Sequence, residues 1–127
     1  MATSWSSAST CEALIDTSQQ KWLVKGDQVL ASIDVADGRL DRLRGLLGRD
    51  RSEAAILLPK TRSVHTVGMR YAIDVAFCDR DLVVRRLVTL RPWRVTAPRP
   101  GEHCVVEVEA GAFELWGVEV GDRLEVR

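Results

Sequence analysis

The sequence predicts a mainly β (α+β) fold: a small sheet or barrel-like domain of short strands and hairpins, with one short helix packed against it. Three observations predict this. Apolar residues alternate at period two over several short segments. Gly, Pro and Asp interrupt those segments at close intervals. Only one stretch of any length spaces its leucines as a helix does.

Taken in order, the elements start after a hydroxyl-rich stretch. Residues 1–18 are read as a flexible tail, and 19–127 as the folded domain. Trp22-Leu23-Val24, a Lys25–Gln28 turn and Val29–Val35 make a hairpin. Val29, Ala31, Ile33 and Val35 fall on one face, and Ser32 and Asp34 on the other. Asp37 is a good N-cap, Leu40, Leu43 and Leu47 repeat at helical spacing, and Gly48 is a stop, so a helix is expected over about 38–47. Ala54–Leu58 is a short apolar strand ended by Pro59. Ala72–Asp79 is the next strand, and Asp79-Arg80-Asp81 turns it back into Leu82–Leu90. That arm is expected to show Leu82, Val84, Val88 and Leu90 on one face, with Arg86 interrupting them. Three prolines make 91–101 a loop. Cys104–Val108 returns to strand, Ala112–Trp116 forms one helical turn, and Val120-Gly121-Asp122 turns into a closing strand, Leu124–Val126.

Composition narrows the function classes. The chain has 127 residues, one domain's worth, and its 18 basic and 18 acidic side chains cancel. A pI of 6.7 excludes a generally basic nucleic-acid binder. The longest apolar run is Ala54–Leu58, where a membrane helix needs about twenty residues. The N-terminus lacks the basic start and apolar stretch of a secretory signal. Cys11, Cys78 and Cys104 are odd in number and share no short spacing, which fits neither a disulfide framework nor a CxxC site. These features predict a reducing, cytoplasmic setting and a monomer, with neither membrane nor nucleic acid as partner.

Three segments in order resemble the family called domain of unknown function 192. They are Arg42-Leu43-Arg44-Gly45-Leu46-Leu47-Gly48-Arg49, then Ile73-Asp74-Val75-Ala76-Phe77-Cys78-Asp79, then Val106-Glu107-Val108-Glu109-Ala110-Gly111 followed by Gly117–Asp122. Together they span about 33–126. The resemblance implies a small β-rich fold and supplies no reaction. The chain departs from the family pattern at Val64-His65-Thr66-Val67-Gly68-Met69-Arg70, where many members read aromatic-Trp-Met-Lys-Asn. Roles attached to that Trp or Asn therefore do not transfer to His65 or Gly68.

Asp74 is the most informative residue. Its strand sets Ile73, Val75 and Phe77 against Ala72, Asp74, Ala76 and Cys78, and the small residues of the second face predict close packing around the carboxylate. It is either satisfied by an arginine or loop amides, or it is an acid–base group or ligand anchor. Arg42 and Arg49 share a helical face and either fork around an anion or pair with Asp41, Asp74 or Glu107. His65 has Asp74, Cys78, His103 and Cys104 as possible metal partners, but their spacing predicts no metal. Cys78 reads as a core residue more than a nucleophile. Residues 80–99 carry six arginines against one acid, and the acidic C-terminal segment is expected beside them in the sheet. The Arg-Pro-Trp-Arg loop leaves an indole able to stack on a base.

The sequence thus supports a non-catalytic module that binds a small polar ligand or a protein partner, without a cofactor. Its pocket would be built from His65, Thr66, Met69, Arg70, Asp74, Arg42, Arg49, Trp93 and Glu107, with His65, Thr66 and Arg70 as a solvent-reachable rim. The alternatives are a small enzyme using Asp74 or His65 on a polar metabolite, and an interaction surface formed by Trp93, Trp116 and the tail.

Overall fold

The computed structural model describes residues 21–35 and 55–127. The expected tail, the 38–47 helix, Arg42 and Arg49 lie outside the described residues. Seven strands form one mixed sheet: β1 (Lys21–Lys25), β2 (Gln28–Val35), β3 (Ala55–Leu58), β4 (Ile73–Cys78), β5 (Val84–Leu90), β6 (Cys104–Glu109) and β7 (Glu125–Val126). A one-turn helix, α1 (Ala112–Trp116), follows β6. The strand order is β5-β4-β6-β3-β2-β1-β7. β2 and β3 run parallel, and every other neighbouring pair is antiparallel.

The sheet curls until its outer strands meet. Val83 bridges Arg123, and Val84 N–H donates to the Asp122 carbonyl at 2.8 Å while Leu124 N–H donates to that of Leu82 at 2.9 Å. Closure removes the exposed edges that invite aggregation. It also sorts the side chains. An inner core takes residues from all seven strands, among them Leu23, Ile33, Leu57, Ala76, Val84, Val106 and Val126. A second core lies on the outer face, where Ile56, Ile73, Val75, Phe77 and Val105 are covered by Val64 and Met69 from the connection between β3 and β4. With both faces covered, all six residues of β4 are buried.

Two register shifts alter the faces read from alternation. In the first hairpin Leu23 opposes Ala31 but Val24 opposes Val29, so Leu30 is extra and Val29 is left exposed. In the second, Phe77 opposes Arg86 and Cys78 opposes Val84, so Arg85 is extra. Leu82 and Val84 therefore enter the inner core while Val88 and Leu90 join the outer one. The single face expected for that arm is corrected: a bulge inverts the parity of everything beyond it. The acidic C-terminal segment does reach the basic arm, through the Val83–Arg123 bridge at the closure and the Arg86–Glu102 pair, although β4 separates β5 from β6.

Candidate functional site

Asp74 lies on the inner side of β4, one position along that face from Ala76, and it is fully engaged. Thr89 donates its hydroxyl to Oδ1 at 2.6 Å from the opposing position of β5, and the Gly111 amide donates to Oδ2 at 2.9 Å. Gly111 holds a left-handed backbone, φ 92°, which turns β6 into α1. The carboxylate thus fastens that turn, by a strand hydroxyl and a loop amide. The loop-amide reading of Asp74 is the one its geometry supports.

Thr66 plays the matching part outside the sheet. It is fully buried, with its N–H donating to the Arg94 carbonyl at 2.8 Å and its own carbonyl accepting from Trp93 N–H at 2.9 Å. Its hydroxyl donates to the Arg91 carbonyl at 2.6 Å and accepts from Arg94 N–H at 2.8 Å. Two residues back, Val64 and Thr96 exchange further bonds, and His65 bridges Val95. Residues 59–72 and 91–101 are thereby laced into one platform. Trp93 is fixed on it at φ 64°, a left-handed conformation unusual for a bulky residue, with 64% of its surface exposed. Thr66 and Met69 are consequently not rim residues, which corrects that expectation for Thr66; Arg70 is exposed and His65 half-buried.

The residues grouped by sequence into one pocket do not all converge. His65, Thr66, Met69, Arg70 and Trp93 share the platform. Asp74 points to the inner face, whereas Glu107, buried opposite Ile56 and Val75, belongs to the outer one. The sheet separates the two carboxylates.

One functional-looking pair escaped the sequence reading. Arg86 meets buried Glu102 with Nε to Oε2 at 3.0 Å and Nη2 to Oε1 at 2.9 Å, and its guanidinium lies 4.0 Å above the Phe77 ring. Arg86 also donates to the Ala97 carbonyl at 3.3 Å, so the pair anchors the far end of the platform. The signal was present in Arg86, which interrupts the apolar face read for that arm. The other missed feature is a groove of about 760 Å³ where β2, β6 and α1 meet, lined chiefly by Trp22, Leu30, Glu109, Leu115 and Trp116. A smaller one of about 360 Å³ adjoins Asp74 and Thr89.

The chemistry available at these places is limited. Burial, with Asp79 and Glu102 adding repulsion, pushes the Cys78 thiol up to about 12, so it stays protonated and is no nucleophile. Among the described residues no three His, Cys, Asp or Glu side chains gather as a metal would need. None of their helices is long and apolar enough to cross a membrane.

Known proteins resemble this chain over most of its length. It is 39% identical over 108 residues to UPF0127 protein PF1050 of Pyrococcus furiosus, covering 81% of this chain and 93% of that one. It is 36% identical over 98 residues to UPF0127 protein PYRAB11210 of Pyrococcus abyssi, covering 73% and 84%. A solved protein of Sinorhizobium meliloti 1021 shares the fold with a TM-score of 0.69 at 23% identity, over 84% of this chain and 92% of that one. A protein of unknown function from Novosphingobium aromaticivorans does so with a TM-score of 0.66 at 18% identity, over 84% and 83%. With its match spanning residues 22–126, the chain belongs to DUF192, the family described as Uncharacterized ACR, COG1430.

Proposed function

We propose that this protein is a non-catalytic binding module whose binding face is the platform formed by residues 59–72 and 91–101, and whose partner is anionic. One observation carries the reading. The platform holds Lys60, Arg62, Arg70, Arg91, Arg94 and Arg99, six cations, and no carboxylate. All six are exposed, and none takes part in an ion pair among the described residues. A neutral chain that gathers uncompensated charge of one sign on one face creates a local field that its net charge conceals. The enzyme alternative has less support, because Asp74 is committed to Thr89 and Gly111.

Heparin-agarose tests this at low salt. The protein is expected to be retained, and Arg91→Ala/Arg94→Ala is expected to elute earlier than Arg80→Ala/Arg127→Ala, a control of equal net charge. Passage of the unaltered protein through the column unretained, or identical elution of the two double variants, would sink the reading.

A further inference from the structure

We infer that the platform takes single-stranded nucleic acid, with Trp93 as the surface on which a base stacks and the surrounding arginines as contacts to its phosphates. The inference rests on the anion-binding reading and names the partner's class. Two features select it. The first is uniform charge. A phosphodiester chain repeats one negative charge at every nucleotide, and six cations without an acid among them complement such a chain better than a protein surface of mixed sign. The second is the indole. Trp93 is well exposed, yet its backbone is pinned on three sides by Thr66: through its own N–H, through the Arg91 carbonyl and through the Arg94 amide. An aromatic side chain displayed from a fixed backbone stacks on a base with less ordering cost than one on a mobile loop.

The geometry also distinguishes single from double strands. In a duplex the faces of the bases are already stacked on each other, so an indole standing on a protein surface meets only backbone and groove edges. A single strand offers its bases free, and every base has a face. Stacking without base-specific hydrogen bonds predicts affinity with little sequence preference. If four of the six cations each meet a phosphate, the log–log dependence of affinity on salt has a slope of about −3.

Fluorescence anisotropy with a labelled thymidine dodecamer, a duplex of the same length, and vesicles containing phosphatidylglycerol tests the inference. Trp93→Gly is the informative variant, because glycine accepts the left-handed backbone at that position and the fold is kept. It is expected to weaken single-strand binding about tenfold while leaving heparin retention unchanged, and Trp93→Phe is expected to restore most of the loss. The duplex is expected to bind more weakly than the single strand. Heparin retention together with single-strand affinity that is indifferent to Trp93 would overturn this inference and leave the anion-binding reading standing. Failure to bind heparin would remove both. Trp93-dependent binding to the vesicles without binding to the oligonucleotide would overturn the inference in favour of a bilayer surface.

Discussion

Asp74 and Thr66 are built alike and do opposite things for the surface. Each is a polar side chain that closes a turn: Asp74 holds Gly111 at the start of α1, and Thr66 holds the Arg91–Arg94 turn. Asp74 works on the inner side, beside the smaller groove, where its carboxylate is used up in place by Thr89 and Gly111. Thr66 works on the outer side, where the turn it fixes lifts an indole and two arginines toward solvent. The comparison teaches that a buried polar residue in a small sheet is first a fastening. Function is to be sought in what the fastening displays.

The largest effect expected on this comparison comes from the far end of the platform. Glu102→Ala leaves the Arg86 guanidinium largely buried without its carboxylate, and the protein is expected to lose about 4 kcal/mol in a urea melt. A loss below about 1 kcal/mol would mean that water reaches Arg86 and that the pair is no anchor. Thr66→Val comes next. It keeps the shape but strands the Arg94 amide and the Arg91 carbonyl, and should cost about 3 kcal/mol. It should also make Trp93 more accessible to acrylamide quenching, which a change confined to stability would not do in the folded protein. On the other side of the sheet, Asp74→Ala should cost about 2 kcal/mol, since Thr89 is exposed enough to rebond to water and only the Gly111 amide is strongly affected. Trp93 quenching should then stay unchanged. If Asp74→Ala altered it, the two turns would be coupled and the comparison would fail.

The strands were legible because the two faces of a β-strand meet different surroundings and write a period of two into the sequence. β4 shows this best: Ile73, Val75 and Phe77 alternate with Ala76 and Cys78, and the smaller set packs inside as read. Two kinds of information were not legible. Bulges at Leu30 and Arg85 add one residue each, and nothing in the local composition marks them, so Val29 and the Val84–Leu90 arm were given the wrong faces. Strand order was the second. A basic arm beside an acidic segment suggested cancellation, and Arg86 does meet Glu102, but β4 intervenes between β5 and β6 and leaves the loop after β5 without an acid of its own. The basic loop meets residues 59–72, which lie far earlier in the chain and hold no acid. Long-range pairing, decided by which strands share a core, set the charge of that face.

A pH experiment extends the comparison to the inner core. Cys78 sits there with its thiol raised from an ordinary value of 9.0 to about 12. Above pH 9 the unfolded chain loses this proton and the folded chain keeps it. The stability associated with the neutral thiol is therefore complete below pH 9 and is lost as pH rises toward 12. By pH 10 the loss is about 1 kcal/mol, and Cys78→Ala should flatten that part of the profile. An unchanged slope in Cys78→Ala would show that other groups govern the alkaline limit.

The smallest effect is expected where the same kind of fastening lies in water. Lys25 Nζ stands 2.9 Å from Asp122 Oδ2 and donates to the Gly117 carbonyl at 2.6 Å, tying the first hairpin to the turn that closes the sheet. The hydrogen bond from Lys25, with a second from the Glu119 amide, holds the Asp122 carboxyl below its ordinary value of 3.8. Its contribution to stability is therefore present above that value and disappears as pH falls through the lowered one. Both side chains remain partly exposed, so solvent screens the pair. Lys25→Met, which keeps the aliphatic stem, should cost no more than about 0.5 kcal/mol at neutral pH, and less in high salt. Asp74 and Thr66 owe their larger effects to their own burial and to the backbone groups they satisfy, the Gly111 amide for one and the Arg94 amide and Arg91 carbonyl for the other. A cost for Lys25→Met as large as that of Asp74→Ala would contradict this, and would mean that charge at the closing turn, and not burial, sets the strength of these fastenings.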